Sequence, residues 1–314
     1  MGTILARPKT HAEWLELRKG GIGSSEVGTI LGVNPYDTPY QLWLRKTGQI
    51  APTEETFAMK AGHYLEDAVA QFFADETGYN IVKSSAGDWL VWDSEKPHLR
   101  VSPDRTYWLS KLRSGPRAQK GILECKTTQR AIDPLDLPKP WYCQLQYQLG
   151  VVGFEQGALA WLTAGREFGH RDILFHKEFY EWMVEKIDAF WNDCIVGGKE
   201  PALISVADVT RKYAVHTEGK IVETSEDVAL ACARYNEIKE AIGKMEEQKE
   251  EAEKVIKMAF GDAEAISYGG LTLATWRAPK ERQSLDSKRL IAEHPELVAQ
   301  YMKTSPVSRR LCVK

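Results

Sequence analysis

Gly121-Ile122-Leu123-Glu124-Cys125-Lys126-Thr127-Thr128 is a short apolar and β-branched run into which two opposite charges are set. Such a run, preceded by Gly, Pro and Ser turns, reads as a buried strand. Residues i and i+2 of a strand share a face, so Glu124 and Lys126 project together while Cys125 points to the opposite side, into the core. Pro103-Asp104 lies twenty residues earlier and delivers a second carboxylate from the preceding hairpin. Two carboxylates offer hard oxygen ligands to Mg2+, and Lys126 can orient or stabilise an attacking hydroxide. That is the chemistry which in-line hydrolysis of a DNA phosphodiester requires. The plain alternative is an ion pair on a solvated edge strand, because a D-xn-E-x-K spacing alone is a weak motif.

Working outward, Gly62-His63-Tyr64-Leu65-Glu66 places Glu66 one helical turn after a residue with no side chain, which permits close approach of helix and strand. His63 stands three residues before Glu66 and is a further candidate ligand, against the role of a hydrogen-bonded helix histidine. Downstream, Gln144 and Gln148 share one helical face, a neutral polar ridge suited to metal-bound water or phosphate. Upstream, Gly20-Gly21-Ile22-Gly23-Ser24-Ser25 opens a helix. Free backbone N–H groups and the helix dipole favour an anion there, with Arg18 and the serine hydroxyls completing a clamp. Capping of the helix by Ser24 or Ser25, with Arg18 solvated, is the competing use of these residues.

The rest of the chain sets the frame. Its 314 residues, 43% hydrophobic and 27% charged, are enough for a large core or two domains. A net charge of −3 supplies no global positive field, so a polyanion must be held by a local patch. Five scattered cysteines without a CxxC exclude a zinc or iron-sulfur framework. The absence of an apolar leader or a membrane-length run points to a soluble cytoplasmic protein. Helical spacing predicts Phe57 to Thr77 as a helix stopped by Gly78, with further helices over Trp141 to Val152 and Glu178 to Val196. Strands are expected at Asn80 to Lys83, Trp89 to Trp92, Leu99 to Val101, Arg105 to Leu109, Ile122 to Lys126 and Gly157 to Thr163, the first five as one meandering sheet. Residues 1–215 form the expected core domain and 216–314 an extension with a long amphipathic helix and a basic tail. Within the extension, Ala231, Tyr235, Ile238, Ile242, Met245, Ala252, Ile256 and Ala259 follow a heptad spacing broken by Lys249, as in a two-helix or coiled-coil seam. Val222 to Phe260 holds ten acids against six bases, and Arg277 to Lys314 nine bases against four acids.

Trp14-Leu15-Glu16-Leu17-Arg18, Gly21 to Val27, Asn34-Pro35-Tyr36 with Leu42-Trp43, Gly62 with Glu66, Ser102-Pro103-Asp104, Leu123 to Lys126 and the Gln144/Gln146 helix occur in one order over residues 11–196. In this order the chain resembles the lambda exonuclease-like, YqaJ-type recombination exonucleases of the PD-(D/E)xK superfamily. The resemblance implies an α/β nuclease core, a mixed sheet flanked by helices. It implies Mg2+, with Mn2+ as a substitute, on Glu66, Asp104, Glu124 and the backbone carbonyl of Cys125, with Lys126 as the water-positioning base. It puts a 5′-phosphate pocket on Arg18 and Ser25, and adds Gln146 to Gln144 and Gln148 as residues facing DNA. Degradation of double-stranded DNA from its ends in the 5′ to 3′ direction, a trimeric ring of subunits and a single-strand annealing protein as partner follow from the same likeness. Arg105 stands where such sequences often carry Gly. Rival readings are an endonuclease or helicase-associated nuclease of the superfamily, and a non-catalytic DNA-binding or assembly protein.

Overall fold

The structure, a computed structural model, describes residues 3–82, 90–109, 119–281, 284–303 and 309–314. The chain divides into two compact units, Met1–Val209 and Thr210–Lys314. The first opens with β1 (Thr3–Ala6), α1 (His11–Lys19), the two-residue β2 (Ile22–Gly23), α2 (Ser24–Ile30), α3 (Pro39–Lys46) and α4 (Phe57–Thr77). Threonine hydroxyls start three of these helices: Thr10, Thr38 and Thr56 accept the backbone N–H groups of Glu13, Gln41 and Met59. Gly78 ends α4 in the left-handed conformation, φ 71°, as its place in the sequence predicts.

Five strands follow: β3 (Asn80–Val82), β4 (Leu90–Asp93), β5 (Leu99–Val101), β6 (Arg105–Trp108) and β7 (Lys120–Thr128). Lys83 and Trp89, expected in strands, lie outside the described residues. The single meander expected here does not form. β3, β6 and β7 join β8 (Gln156–Thr163) and β9 (Glu167–Leu174) in the order β3-β6-β7-β8-β9, whereas β4 and β5 join the N-terminal strands in the order β1-β4-β5-β2. The reason lies in long-range packing: Val91, Leu99 and Val101 bury against Ile22, Val27 and Tyr147, contacts that local alternation cannot announce. β7 and β8 run parallel, which demands a crossover, and α5 (Lys139–Val152) supplies it.

β7 is sandwiched. Leu123 and Cys125 pack with Val69, Ala70 and Phe73 of α4, while Ile122 on the other face packs with Leu145 and Leu149 of α5. Cys125 therefore sits in the core, and Glu124 and Lys126 face α5. Behind α5 comes α6 (Lys177–Ala189), which continues from Phe190 to Val196 as a wider, π-type turn of the helix expected there. A Cβ on Gly150 of α5 would fall 2.3 Å from the Tyr180 ring of α6. Gly150→Ala is accordingly expected to cost about 1–3 kcal/mol of stability by overpacking, read as a lowered unfolding midpoint.

The first unit closes on α7 (Val206–Lys212), where fully buried Asp208 accepts from the Thr38 hydroxyl at 2.7 Å and from the backbone N–H groups of Ile204 and Ser205 at 3.2 Å. A chain ending at Val215 keeps this clasp and is expected to stay folded and active, whereas one ending at Pro201 leaves Thr38 and Gln41 without their acceptor. Comparing thermal unfolding and nucleotide release of the two truncations checks this. In the second unit α8 (Glu226–Phe260) is one uninterrupted helix that carries the heptad stripe, with Gly243 tolerated mid-helix. After it come the hairpin β10 (Ala265–Tyr268) and β11 (Leu271–Thr275), then α9 (Ser287–Glu293) and α10 (Pro295–Tyr301). Among the described residues no helix is long and apolar enough to cross a membrane.

Candidate active site

Strand register brings the two carboxylates together. Arg105 of β6 pairs with Leu123 of β7, so Asp104, one residue earlier, stands beside Glu124, and its Oδ2 accepts the Cys125 N–H at 2.7 Å. Glu124 is 1% exposed on the middle strand of five, which disposes of the edge-strand alternative. A buried carboxylate needs full compensation. Its Oε1 accepts from Lys126 Nζ at 2.7 Å and from Gln144 Nε2, and its Oε2 from Gln148 Nε2 at 2.8 Å. Lys126 Nζ also donates to Gln144 Oε1 at 3.0 Å, so Gln144 grips both charged groups.

The charges bias one another. Burial, then Glu124 and Glu66, push the Asp104 carboxyl well above the usual aspartate range. Burial alone would weaken the Lys126 ammonium, but Glu124 and Asp104 outweigh it and hold its proton more tightly than usual. Burial raises Glu66 as well, against the pull of Arg105. Arg105 is the residue whose importance the sequence concealed: its guanidinium donates to Glu66 Oε1 at 2.5 Å, to Asp67 Oδ1 at 2.7 Å and to the Asp104 carbonyl. Gly62 lies against β7, where an added Cβ would meet Thr127 Oγ1 at 3.6 Å. His63 points elsewhere. It is largely exposed, with Nε2 3.8 Å from Glu55, and it acts on Glu66 only through its nearness, which favours the Glu66 carboxylate.

Beside this network lies the glycine-rich helix start. Gly23, not a serine, caps α2, and its N–H donates to Glu26 at 2.7 Å, so neither Ser24 nor Ser25 is spent on capping. Arg18 Nη2 donates to Ser25 Oγ at 2.7 Å and its guanidinium stacks over Trp14 at 5.0 Å. Lys46 bonds Glu26 at 2.8 Å and the Gly21 carbonyl at 2.7 Å; burial lowers its pKa, and the nearby charges of Arg18 and Arg100 lower it further. Ser24 joins the two halves of the site, since Gln148 Nε2 bridges Ser24 Oγ at 3.2 Å to Glu124. Gln146, by contrast, faces away: its side chain bonds the Leu174 carbonyl at 2.7 Å and the His176 N–H at 2.8 Å, tying α5 to the end of β9. Two residues along a helix turn a side chain by about 200°, which is why only Gln144 and Gln148 reach the carboxylates.

Among the described residues no three His, Cys, Asp or Glu side chains stand as a ready-made metal cage, because Arg105 holds Glu66 and Lys126 holds Glu124. The donor chemistry nonetheless fits a divalent cation. Asp104, Glu124 and Glu66 are hard oxygen donors close enough to raise Asp104's proton affinity, a repulsion that a cation relieves. One stability consequence follows from the sign of that shift. The Asp104 carboxyl keeps its proton to higher pH in the folded than in the unfolded chain, so without divalent cation stability falls as pH rises from the ordinary aspartate range through the raised value. Asp104→Asn, whose amide oxygen still accepts the Cys125 N–H, should remove that loss. In chelator at neutral pH its unfolding midpoint should rise by about 2–4 °C for each kcal/mol recovered, and an unchanged midpoint would contradict the repulsion.

The pattern of the YqaJ-like viral recombinase domain matches residues 13–155, a span holding every residue of this network. The uncharacterized protein YqaJ of Bacillus subtilis (strain 168) is 30% identical over 308 residues, covering 95% of this chain and 92% of that protein. The chain belongs to the YqaJ-like viral recombinase family, and its mixed sheet flanked by helices is the α/β core expected from sequence. Among solved structures, the alkaline exonuclease LHK-Exo from Laribacter hongkongensis superposes with a TM-score of 0.45 at 16% identity, over 59% of this chain and 93% of that one. A phage-related exonuclease from Haemophilus somnus 129PT gives 0.41 at 12% identity, over 57% and 96%.

Proposed function

We propose that this chain is a metal-dependent deoxyribonuclease that degrades one strand of double-stranded DNA from an end, 5′ to 3′, leaving 3′ single-stranded overhangs for phage-type recombination. The observation that carries the reading is the buried Glu124–Lys126 pair beside Asp104, gripped by Gln144 and Gln148, in a chain of the viral recombinase family. Asp104, Glu124, Glu66 and the Cys125 carbonyl are the groups that would hold Mg2+, or Mn2+ in its place. The bound cation supplies Lewis acidity, screening phosphodiester charge and making water a better nucleophile.

The chain's own residues do the positioning. Lys126, whose ammonium is stabilised by its neighbours, orients the attacking water and balances charge that develops on the phosphate. Gln144 fixes the ammonium in place. Arg18, Ser25 and the first N–H groups of α2 clamp the terminal 5′-phosphate, in a neighbourhood where Lys46 and Arg100 add positive charge. A trimeric ring threaded by the duplex, a single-strand annealing partner and a cytoplasmic location belong to the same reading. The test uses end-labelled linear duplexes with 5′-phosphate or 5′-hydroxyl, and closed circles, with and without Mg2+. Release of labelled nucleotide from 5′ ends only with metal supports the reading; cleavage of circles replaces it with an endonuclease, and no release at all with a DNA-binding protein.

A further inference from the structure

In α8, Val228, Tyr235, Ile242 and Ile256 recur at multiples of seven with Lys249 in the remaining place, and Ala231, Ile238, Met245, Ala252 and Ala259 each follow three residues later. These are the a and d positions of five heptads, on a helix of about 50 Å. The face they form is open: Val228, Tyr235, Ile238, Ile242, Met245 and Ile256 are 44 to 68% exposed. We propose that this face binds the same face of a second copy of the chain, antiparallel and in full overlap, as a two-stranded coiled coil.

Charges beside the seam select this arrangement. The e positions carry Cys232, Lys239, Glu246 and Glu253, and the g positions Asp227, Arg234, Ala241, Gln248 and Val255. In a parallel pair each g side chain meets the e side chain of the partner's next heptad. Arg234 would then face the partner's Lys239 on both sides, and Lys249 would face the partner's Lys249 inside the seam. Antiparallel pairing brings e to e and g to g. With the helices overlapped along their whole length, Lys239 faces the partner's Glu246 and Glu246 faces the partner's Lys239. Tyr235 then packs over the partner's Ala252 and Ile242 against the partner's Met245. The Lys249 stem crosses the partner's Ile238 with its ammonium in water. Sliding by one heptad in either direction sets Lys239 on the partner's Lys239, or Glu246 on the partner's Glu246. Of these three registers only full overlap leaves no like charges opposed at e.

The experiment uses the full chain carrying Glu253→Cys and Cys312→Ser, treated with a short bis-maleimide. Antiparallel overlap puts position 253 of one copy beside Cys232 of the other, whereas within one helix the two lie about 30 Å apart. The remaining cysteines, Cys125, Cys143 and Cys194, are buried. The expected product is a dimer whose peptides are joined between positions 232 and 253, formed at least tenfold less when Ile238→Glu and Ile242→Glu are added. Those two exposed substitutions should leave the unfolding midpoint of the first unit unchanged. A crosslink between the two copies of Cys232 in place of the 232–253 link would show another register or orientation and overturn the proposal. So would the absence of any 232–253 link, whatever oligomer light scattering finds.

Discussion

Lys126→Ala is expected to slow DNA cleavage by about three orders of magnitude or more, a loss of about 4 kcal/mol in transition-state stabilisation, with DNA binding retained. In the proposed role Lys126 balances charge that appears only as the phosphate reacts, so the catalytic effect falls on the rate. Removing the ammonium also leaves Glu124 buried with two glutamine donors, so some stability will be lost. Lys126→Gln restores a hydrogen bond without charge and separates the two effects: it should fold near normally and still be inactive. Substantial single-turnover activity in either variant would sink the assigned role. Glu124→Ala and Asp104→Ala should be inactive for a different reason, the loss of an oxygen ligand. Cys125→Ala should be mild, since its side chain packs toward Val69 and Phe73 of α4, away from the reacting face.

The pairing of Glu124 with Lys126 was legible because strand alternation is a strict rule: the two had to emerge together. Helix α4, with its apolar residues at helical spacing and its terminal glycine, was equally plain, though its cap is Thr56 and not Thr53, which the acids after it suggested. Four features were not legible. The partition of β4 and β5 into a second sheet depends on what they bury against, and β9 is too polar, through Glu167, His170, Arg171 and Asp172, to announce itself as a strand. Gln146 shares a short motif with Gln144 and Gln148 but not their helical face. Arg105 looked like a departure from pattern, yet its guanidinium bridges Glu66, Asp67 and the Asp104 carbonyl; only folding brings α4 and β6 to the same cation. The extension's heptad-spaced stripe was visible in the sequence, and it lies along the single helix α8.

Arg18→Ala is expected to erase most of the preference for 5′-phosphorylated ends and to shorten processive runs. Each 5′ to 3′ cut leaves a new 5′-phosphate on the strand being consumed, so a clamp for that dianion turns every product into the next well-placed substrate. Charge-assisted hydrogen bonds contribute about 1.5 to 3 kcal/mol each, enough to bias end selection by roughly tenfold or more. Mg2+ binding and cleavage of short single strands should be largely unchanged, because Arg18 touches Ser25 and Trp14 and none of the carboxylates. Initial rates on 5′-phosphate and 5′-hydroxyl duplexes, compared for both proteins, decide the matter. An undiminished preference would place the clamp elsewhere and leave the glycine-rich turn as a helix start alone.

Gln148 gives the chain a constraint of heredity. One amide nitrogen reaches both Ser24 and Glu124, residues 124 and 24 positions away from it. Groups that share a buried hydrogen-bond partner do not vary independently, since a change in one alters what the others can tolerate. The N-terminal helix start, β7 and α5 therefore have to be exchanged as one piece: a chimera that takes its first thirty residues from a relative inherits a requirement at position 148 before it inherits any preference for DNA ends.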